Sequence, residues 1–212
     1  MIQRWFSKGG KLVNMLILRN QKGIASILFL VLLPFFCLAT IAFMEHTRSV
    51  YGSDLDLQQA LNSAVRSAAY SVDELSQAHN DPMVVSETAH LVFRHELASN
   101  LGLDSNLAPT EHSGIKNPVN YVLIVYNGDN PYGLKEGVKY SSVNPAGEEF
   151  AGSLPCTFTV IETDILVGEN DGILTELDEP GCIAVISADF KPLIKGESTG
   201  VRWIAAKVVN ES

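Results

Sequence analysis

The chain predicts an α+β protein, in which an N-terminal transmembrane helix continues into an extracytoplasmic helix and packs with a mostly antiparallel β-sheet head. Three observations carry that expectation: an uncharged apolar run from Ile24 to Met44, apolar residues at helical spacing from Leu57 to Leu75, and β-branched runs that begin only after Gly102. Helical patterns first and strand patterns afterwards, without alternation, mark an α+β domain rather than a parallel α/β sheet.

The apolar run comes first. Its 21 residues span roughly 31 Å as an α-helix, about the thickness of a bilayer hydrocarbon core. A cleavable secretory signal has a shorter apolar region followed by small residues, whereas this run ends Ala42-Phe43-Met44-Glu45. Arg4, Lys8, Lys11, Arg19 and Lys22 precede it with no acid among them, which places the N-terminus in the cytoplasm and the remainder outside. Pro34 removes one helical hydrogen bond. Membrane helices tolerate that loss, so a kink near Leu30 is expected rather than a break.

Charge divides the chain at the same place. All 24 acids lie at or after Glu45, against ten Lys and Arg, so this part carries a formal charge of −14. Such a domain offers no basic surface for a nucleic-acid backbone. The expected organisation is a cytoplasmic leader over 1–23, a transmembrane helix over 24–44, a helical stalk over 45–79 and an α+β head over 80–212.

Leu57, Leu61, Val65, Ala68, Val72 and Leu75 recur at spacings of three and four and form one helical face. Ala60, Ala64 and Ala68 keep that face thin, so another helix or a sheet could approach closely. His79-Asn80-Asp81-Pro82 is a turn signal. A second helix is expected from Val84 to Asn100, with Val85, Ala89, Val92, Phe93 and Leu97 on one side and Gly102 as its stop. Beyond it, VNYVLIVYNG (119–128), TFTVIE (157–162), GCIAVISADF (181–190) and VRWIAAKVV (201–209) read as strands. NGDNPYGLKEG, NPAGEEFAGS and GENDGILTELDEPG read as long polar loops.

Cys156 and Cys182 each open a predicted strand, while Cys37 lies in the apolar run. In an oxidising compartment a Cys156–Cys182 disulfide is expected, closing a loop of about 25 residues and contributing about 3 kcal/mol by loop entropy. His90 and His95 are five apart, about 140° around a helix, where a zinc helix needs an interval of four. GENDGILTELDE (168–179) fails as a calcium loop: aligning Gly172 with the fixed glycine puts Val167 at the first ligand position and Asp178 at the last. No G-x-S-x-G, Cys/His protease context or glycine-rich phosphate loop is present in the sequence. No cofactor or metal is expected, and nothing in the motifs argues for an enzyme.

The N-terminal third has a recognisable register: a basic leader, Lys22-Gly23, an apolar helix with Pro34 eleven residues after the glycine, Tyr51, then LQQALNSAVRSAA. This resembles the TadE/TadG-like family, pilin-related proteins of tight-adherence pilus assembly. Gly23, Phe29, Leu32 and Pro34 match or nearly match its R-G-x-x-x-V-E-F-A-L-V-L-P segment. Leu57, Gln58, Ala60, Ala64 and Ala68 match its trailing L-Q-x-A-x-x-A-A helix. The resemblance implies peptidase cleavage between Gly23 and Ile24. It also implies pilus or secretion-apparatus membrane proteins as partners, a paralogous pilin-like subunit among them. Where the family commonly has glutamate, in pilin-like assembly a partner for a neighbouring subunit's amine, this chain has Leu28, which favours a membrane-retained accessory subunit.

The expected function is therefore that of a non-catalytic, single-pass, membrane-anchored pilin-like subunit of a bacterial pilus or secretion-type assembly. Leu57, Ala60, Leu61, Ala64, Val65, Ala68 and Val72 are its expected partner-helix face. The rival expectation is a membrane-tethered ligand-binding or sensory ectodomain whose aromatic pocket draws on Tyr121, Tyr126, Tyr132, Tyr140 and Trp203.

Overall fold

In a computed structural model that describes residues 29–44, 56–111, 113–191 and 198–208, eight strands follow three helices in the larger of two compact units. The chain divides into Met1–Arg48 and Ser49–Ser212. The helix that opens the second unit therefore belongs to the head and not to a separate stalk ending at residue 79. The α+β class with antiparallel sheets is as expected.

Helix α1 covers 56–69. It ends at Tyr70, well before the expected limit, because the next residues form a small antiparallel bridge instead. Val72 pairs with Val84, Asp73 N–H donates to the Met83 carbonyl at 2.8 Å, and Val85 N–H donates to the Ser71 carbonyl at 2.8 Å. Asp73 then caps a new short helix, α2 (Glu74–Ala78), its carboxylate accepting from the Ser76 N–H at 3.0 Å. Leu75, counted on the apolar face, is 59% exposed as a result. The His79–Pro82 turn follows, with Asn80 at φ 58°, and α3 runs over Ser86–Leu101. Gly102 at φ 64° closes α3 by donating its N–H to the Ala98 carbonyl, a left-handed position that favours glycine.

The main sheet has the order β3-β2-β1-β7-β8, every pair antiparallel. Its strands are β1 (Asn120–Tyr126), β2 (Gly137–Ser141), β3 (Glu148–Phe150), β7 (Gly181–Phe190) and β8 (Ser198–Lys207). A second, antiparallel sheet has the order β5-β4-β6, from β4 (Cys156–Ile161), β5 (Asp164–Val167) and β6 (Ile173–Leu177). β2, β3, β5 and β6 are additions to the four expected strands, and β3 and β6 lie in segments that read as loops.

Alternation along β1 and β7 builds two cores, since successive side chains of a strand point to opposite faces. Leu123, Val125, Ala184 and Ile186 face the helices and pack with Leu57, Leu61, Phe93 and Leu97. Ile124, Tyr126, Ile183 and Val185 face the second sheet and pack with Phe158, Val160, Ile165 and Leu177. The head is thus three layers deep: helices, main sheet, small sheet.

Candidate functional site

Residues 29–44 form a helix unbroken at Pro34, and every side chain on it is exposed. Eleven large apolar residues stand out from it on all sides, among them Leu30 at 72% and Phe36 at 69% exposed. Its hydroxyl group is satisfied internally, Thr40 Oγ1 donating to the Phe36 carbonyl at 2.7 Å. A helix that is apolar all round belongs in a protein core or a membrane. Among the described residues no helix is long and apolar enough to cross a membrane. The described stretch is 16 residues, positions 29 to 44. Residues 24–28 of the expected span lie outside the described residues, as do Gly23, Ile24 and Leu28, on which cleavage and the pilin comparison turn.

The expected partner-helix face is occupied within the head. Leu57, Ala60, Leu61, Ala64, Val65 and Ala68 are buried in the helix-side core, and Val72 packs against it from the bridge rather than from α1. The small alanines do allow close approach, but the neighbour they admit is this chain's own sheet: Leu57 Cδ2 lies 3.2 Å from the position a Cβ on Gly200 of β8 would take.

The expected disulfide is absent. Cys156 and Cys182 are free thiols, and so is Cys37. Strand alternation explains the separation: Cys182 points from β7 into the helix-side core, whereas Cys156 packs against the opposite core between the sheets. A bond between them would have to pass through the main sheet. Complete burial pushes the Cys182 thiol well above its usual range.

The aromatic residues do not gather into one pocket. Tyr121 and Tyr140 are on the helix side, Tyr126 and Trp203 face the small sheet, and Tyr132 lies in the loop after β1 beside His79, their rings 6.0 Å apart. Two of them instead enclose His90. The imidazole stacks on Tyr140 at 4.1 Å between centroids, and its Nε2 is 2.8 Å from the Tyr121 hydroxyl. Burial, with the neighbouring Arg94 charge, lowers the His90 pKa to about 4, so it is neutral across the physiological range. His95 is exposed on α3. Among the described residues no three His, Cys, Asp or Glu side chains are grouped to hold a metal.

Asn127, read as part of a loop, is a buried clamp. Its Oδ1 accepts from Val84 N–H at 2.8 Å, and its Nδ2 donates to the carbonyls of Val84 at 2.9 Å and Lys135 at 3.0 Å. Only the fold reveals this role, because Val84 is 43 residues away. Nearby, Lys135 pairs with Glu87 at the start of α3 and with Glu149 of β3 at 3.1 Å. The two carboxylates raise the lysine's pKa, and the lysine lowers that of Glu87.

At the start of α1 a cleft of about 400 Å³ is lined by Asp56, Gln59, Asn100, Leu101, Ile115 and Phe190. It offers one carboxylate, two amides and the Ser63 hydroxyl beside apolar Ala60, Leu101, Ile115 and Phe190. Comparison with protein-family models, with curated proteins and with solved structures finds no match for this chain.

Proposed function

We propose that the chain is a non-catalytic, membrane-anchored pilin-like subunit of a bacterial pilus or secretion-type assembly, with its N-terminus cytoplasmic and its acidic head extracytoplasmic. The observation that carries the anchor is the helix over 29–44, apolar on every side and exposed throughout. Removing one large apolar side chain from water is worth roughly 1.5–3 kcal/mol. Leaving eleven of them in water would forgo as much as the whole stability of a typical domain, about 5–15 kcal/mol. A bilayer accepts that surface without a protein partner, and the five preceding cations favour the stated orientation.

The pilin-like part of the reading rests on the glycine-to-proline register and the alanine-rich helix after it. With α1 committed to the head's own core, partner contacts fall to the apolar helix and to the outer surface of the head. Leu28 favours an accessory subunit held in the membrane over a filament repeat.

Alkaline carbonate extraction of native membranes, protease accessibility of the head and intact mass together test this reading. The expected result is a chain retained with the bilayer, its head cleavable only from the extracytoplasmic side. A mass that begins at Ile24 marks a processed pilin-like subunit, and one that begins at Met1 marks a permanent signal anchor. Release of the whole chain by carbonate would overturn the anchor.

A further inference from the structure

The small sheet covers only part of the main sheet beneath it. It closes over Ile124, Tyr126 and Ile183, but toward the start of β1 and the end of β7 a second cleft, of about 530 Å³, opens below the turn that joins β4 to β5. Register defines its surface. Val122 lies between Ser141 of β2 and Val185 of β7, and Asn120 lies beside Ser187; all five share the face on which Ile124 packs. Thr163 overhangs them from the turn.

Among the described residues the lining of the cleft is electrically neutral: its charged side chains there, Lys139 and Asp164, pair with each other at 2.6 Å, and the lysine also donates to the Ile165 carbonyl at 3.0 Å. Neutrality is unusual on a domain with a formal charge of −14, and it removes the long-range attraction that an ionic ligand would require. Hydrogen-bonding capacity is nevertheless high. Among the described residues the hydroxyls of Ser187 and Thr163 form no hydrogen bond, and Asn120 is engaged at Oδ1 alone, accepting from Ser142 Oγ at 3.3 Å. Between these groups Val122 and Val185 line the cleft with apolar surface, and half-buried Trp203, one strand beyond the lining, is the cross-strand partner of Val185 and shares its face.

A ligand suited to this surface carries hydroxyls around its rim, an apolar face for the floor and the indole, and no net charge. Those are the properties of a sugar ring. A peptide is disfavoured because β1 and β7 are interior strands with neighbours on both sides, leaving no free backbone edge in the floor for strand addition. We propose that this cleft binds a neutral oligosaccharide, held by hydrogen bonds from Asn120, Thr163 and Ser187 and by contact with Trp203. Its volume lies within the range of small-ligand sites, about 300–1,000 Å³.

The test uses the full chain in a detergent without a sugar headgroup, with Trp5→Phe so that Trp203 is the sole indole. Chitotetraose and cellotetraose are titrated to about 10 mM, a range that captures millimolar affinity. The expected result is a saturable change in Trp203 emission with at least one of them. Thr163→Ala and Ser187→Ala should each weaken that binding roughly two- to tenfold, the effect of losing one hydrogen bond, and leave the unfolding midpoint unchanged. No saturation with either sugar, unaltered affinity in both variants, or equally tight binding of a neutral tetrapeptide would each overturn the proposal. Retention in the membrane is read by a separate experiment, so failure of the anchor leaves this result interpretable.

Discussion

The helix over 29–44 and helix α1 over 56–69 are separated by eleven positions, and they use apolar residues in opposite ways. The first exposes its Leu, Phe, Ile and Val side chains around its whole circumference. The second confines Leu57, Leu61, Ala64, Val65 and Ala68 to one face and buries them against its own sheet, leaving Asp56, Gln59, Ser63 and Arg66 outside. Apolar content therefore says little about where a helix goes, whereas its angular distribution says a great deal. A stripe needs one neighbour and finds it within the domain. A full circumference needs apolar surroundings on every side.

Paired truncations break that comparison most directly. Leu61→Ala removes a fully buried side chain from the helix-side core and should cost about 2–5 kcal/mol in denaturant unfolding of the head. Leu33→Ala removes an equal volume from the exposed helix and should change head stability by less than about 0.5 kcal/mol, while lowering retention in carbonate-washed membranes. Equal losses of head stability from the two substitutions would show that the helix over 29–44 packs into the head.

The two regions also differ in how far the sequence discloses them. Angular distribution was enough to assign α1 to a buried face, and the Gly102 stop was enough to end α3. The identity of the neighbour was not legible, because a stripe of Leu and Ala suits a foreign helix as well as the chain's own sheet. Strand β3 is not legible in the sequence for a physical reason: Glu148 and Glu149 guard a short sheet edge, and charge is what edge strands use against unwanted pairing. The β4–β5 hairpin turns through Glu162-Thr163, without the Asn-Gly or Asp-Gly pair that usually marks such a turn. The separation of the cysteines is not legible either, because spacing along the chain carries no information about which face of a sheet a residue takes. The cleft was hidden most completely, since Asn120, Thr163 and Ser187 meet only through strand order and the overhang of a second sheet.

Titration sharpens the same contrast, with an intermediate effect. Residues 29–44 contain no carboxylate, amine or imidazole, so the anchor should hold from neutral to acidic pH. The head contains His90, buried between Tyr121 and Tyr140 with Arg94 nearby, its pKa lowered to about 4. An unfolded histidine titrates near 6.5. Between those values the unfolded state binds the extra proton, so head stability is full above about pH 6.5 and falls as the pH drops toward 4. The loss should reach about 3 kcal/mol at the acid end. Denaturant unfolding at several pH values reads it. His90→Gln should flatten that part of the profile, and an unchanged slope in the variant would assign the acid sensitivity to other groups.

The smallest effect separates packing from surface charge within the head. Lys135 joins Glu87 of α3 to Glu149 of β3 across the layers, a position that looks structural. All three side chains are at least a third exposed, however, and exposed ion pairs contribute only about 0.2–1 kcal/mol. The carbonyl of the same residue accepts from Asn127, a main-chain contact that a side-chain substitution leaves in place. Lys135→Ala should therefore lower head stability by under about 1 kcal/mol, and the difference from the parent chain should shrink as salt is raised, because screening weakens exposed pairs. A loss comparable to that of Leu61→Ala, insensitive to salt, would mean that α3 is fastened to the sheet by this charge cluster and not by the burial of Phe93 and Leu97.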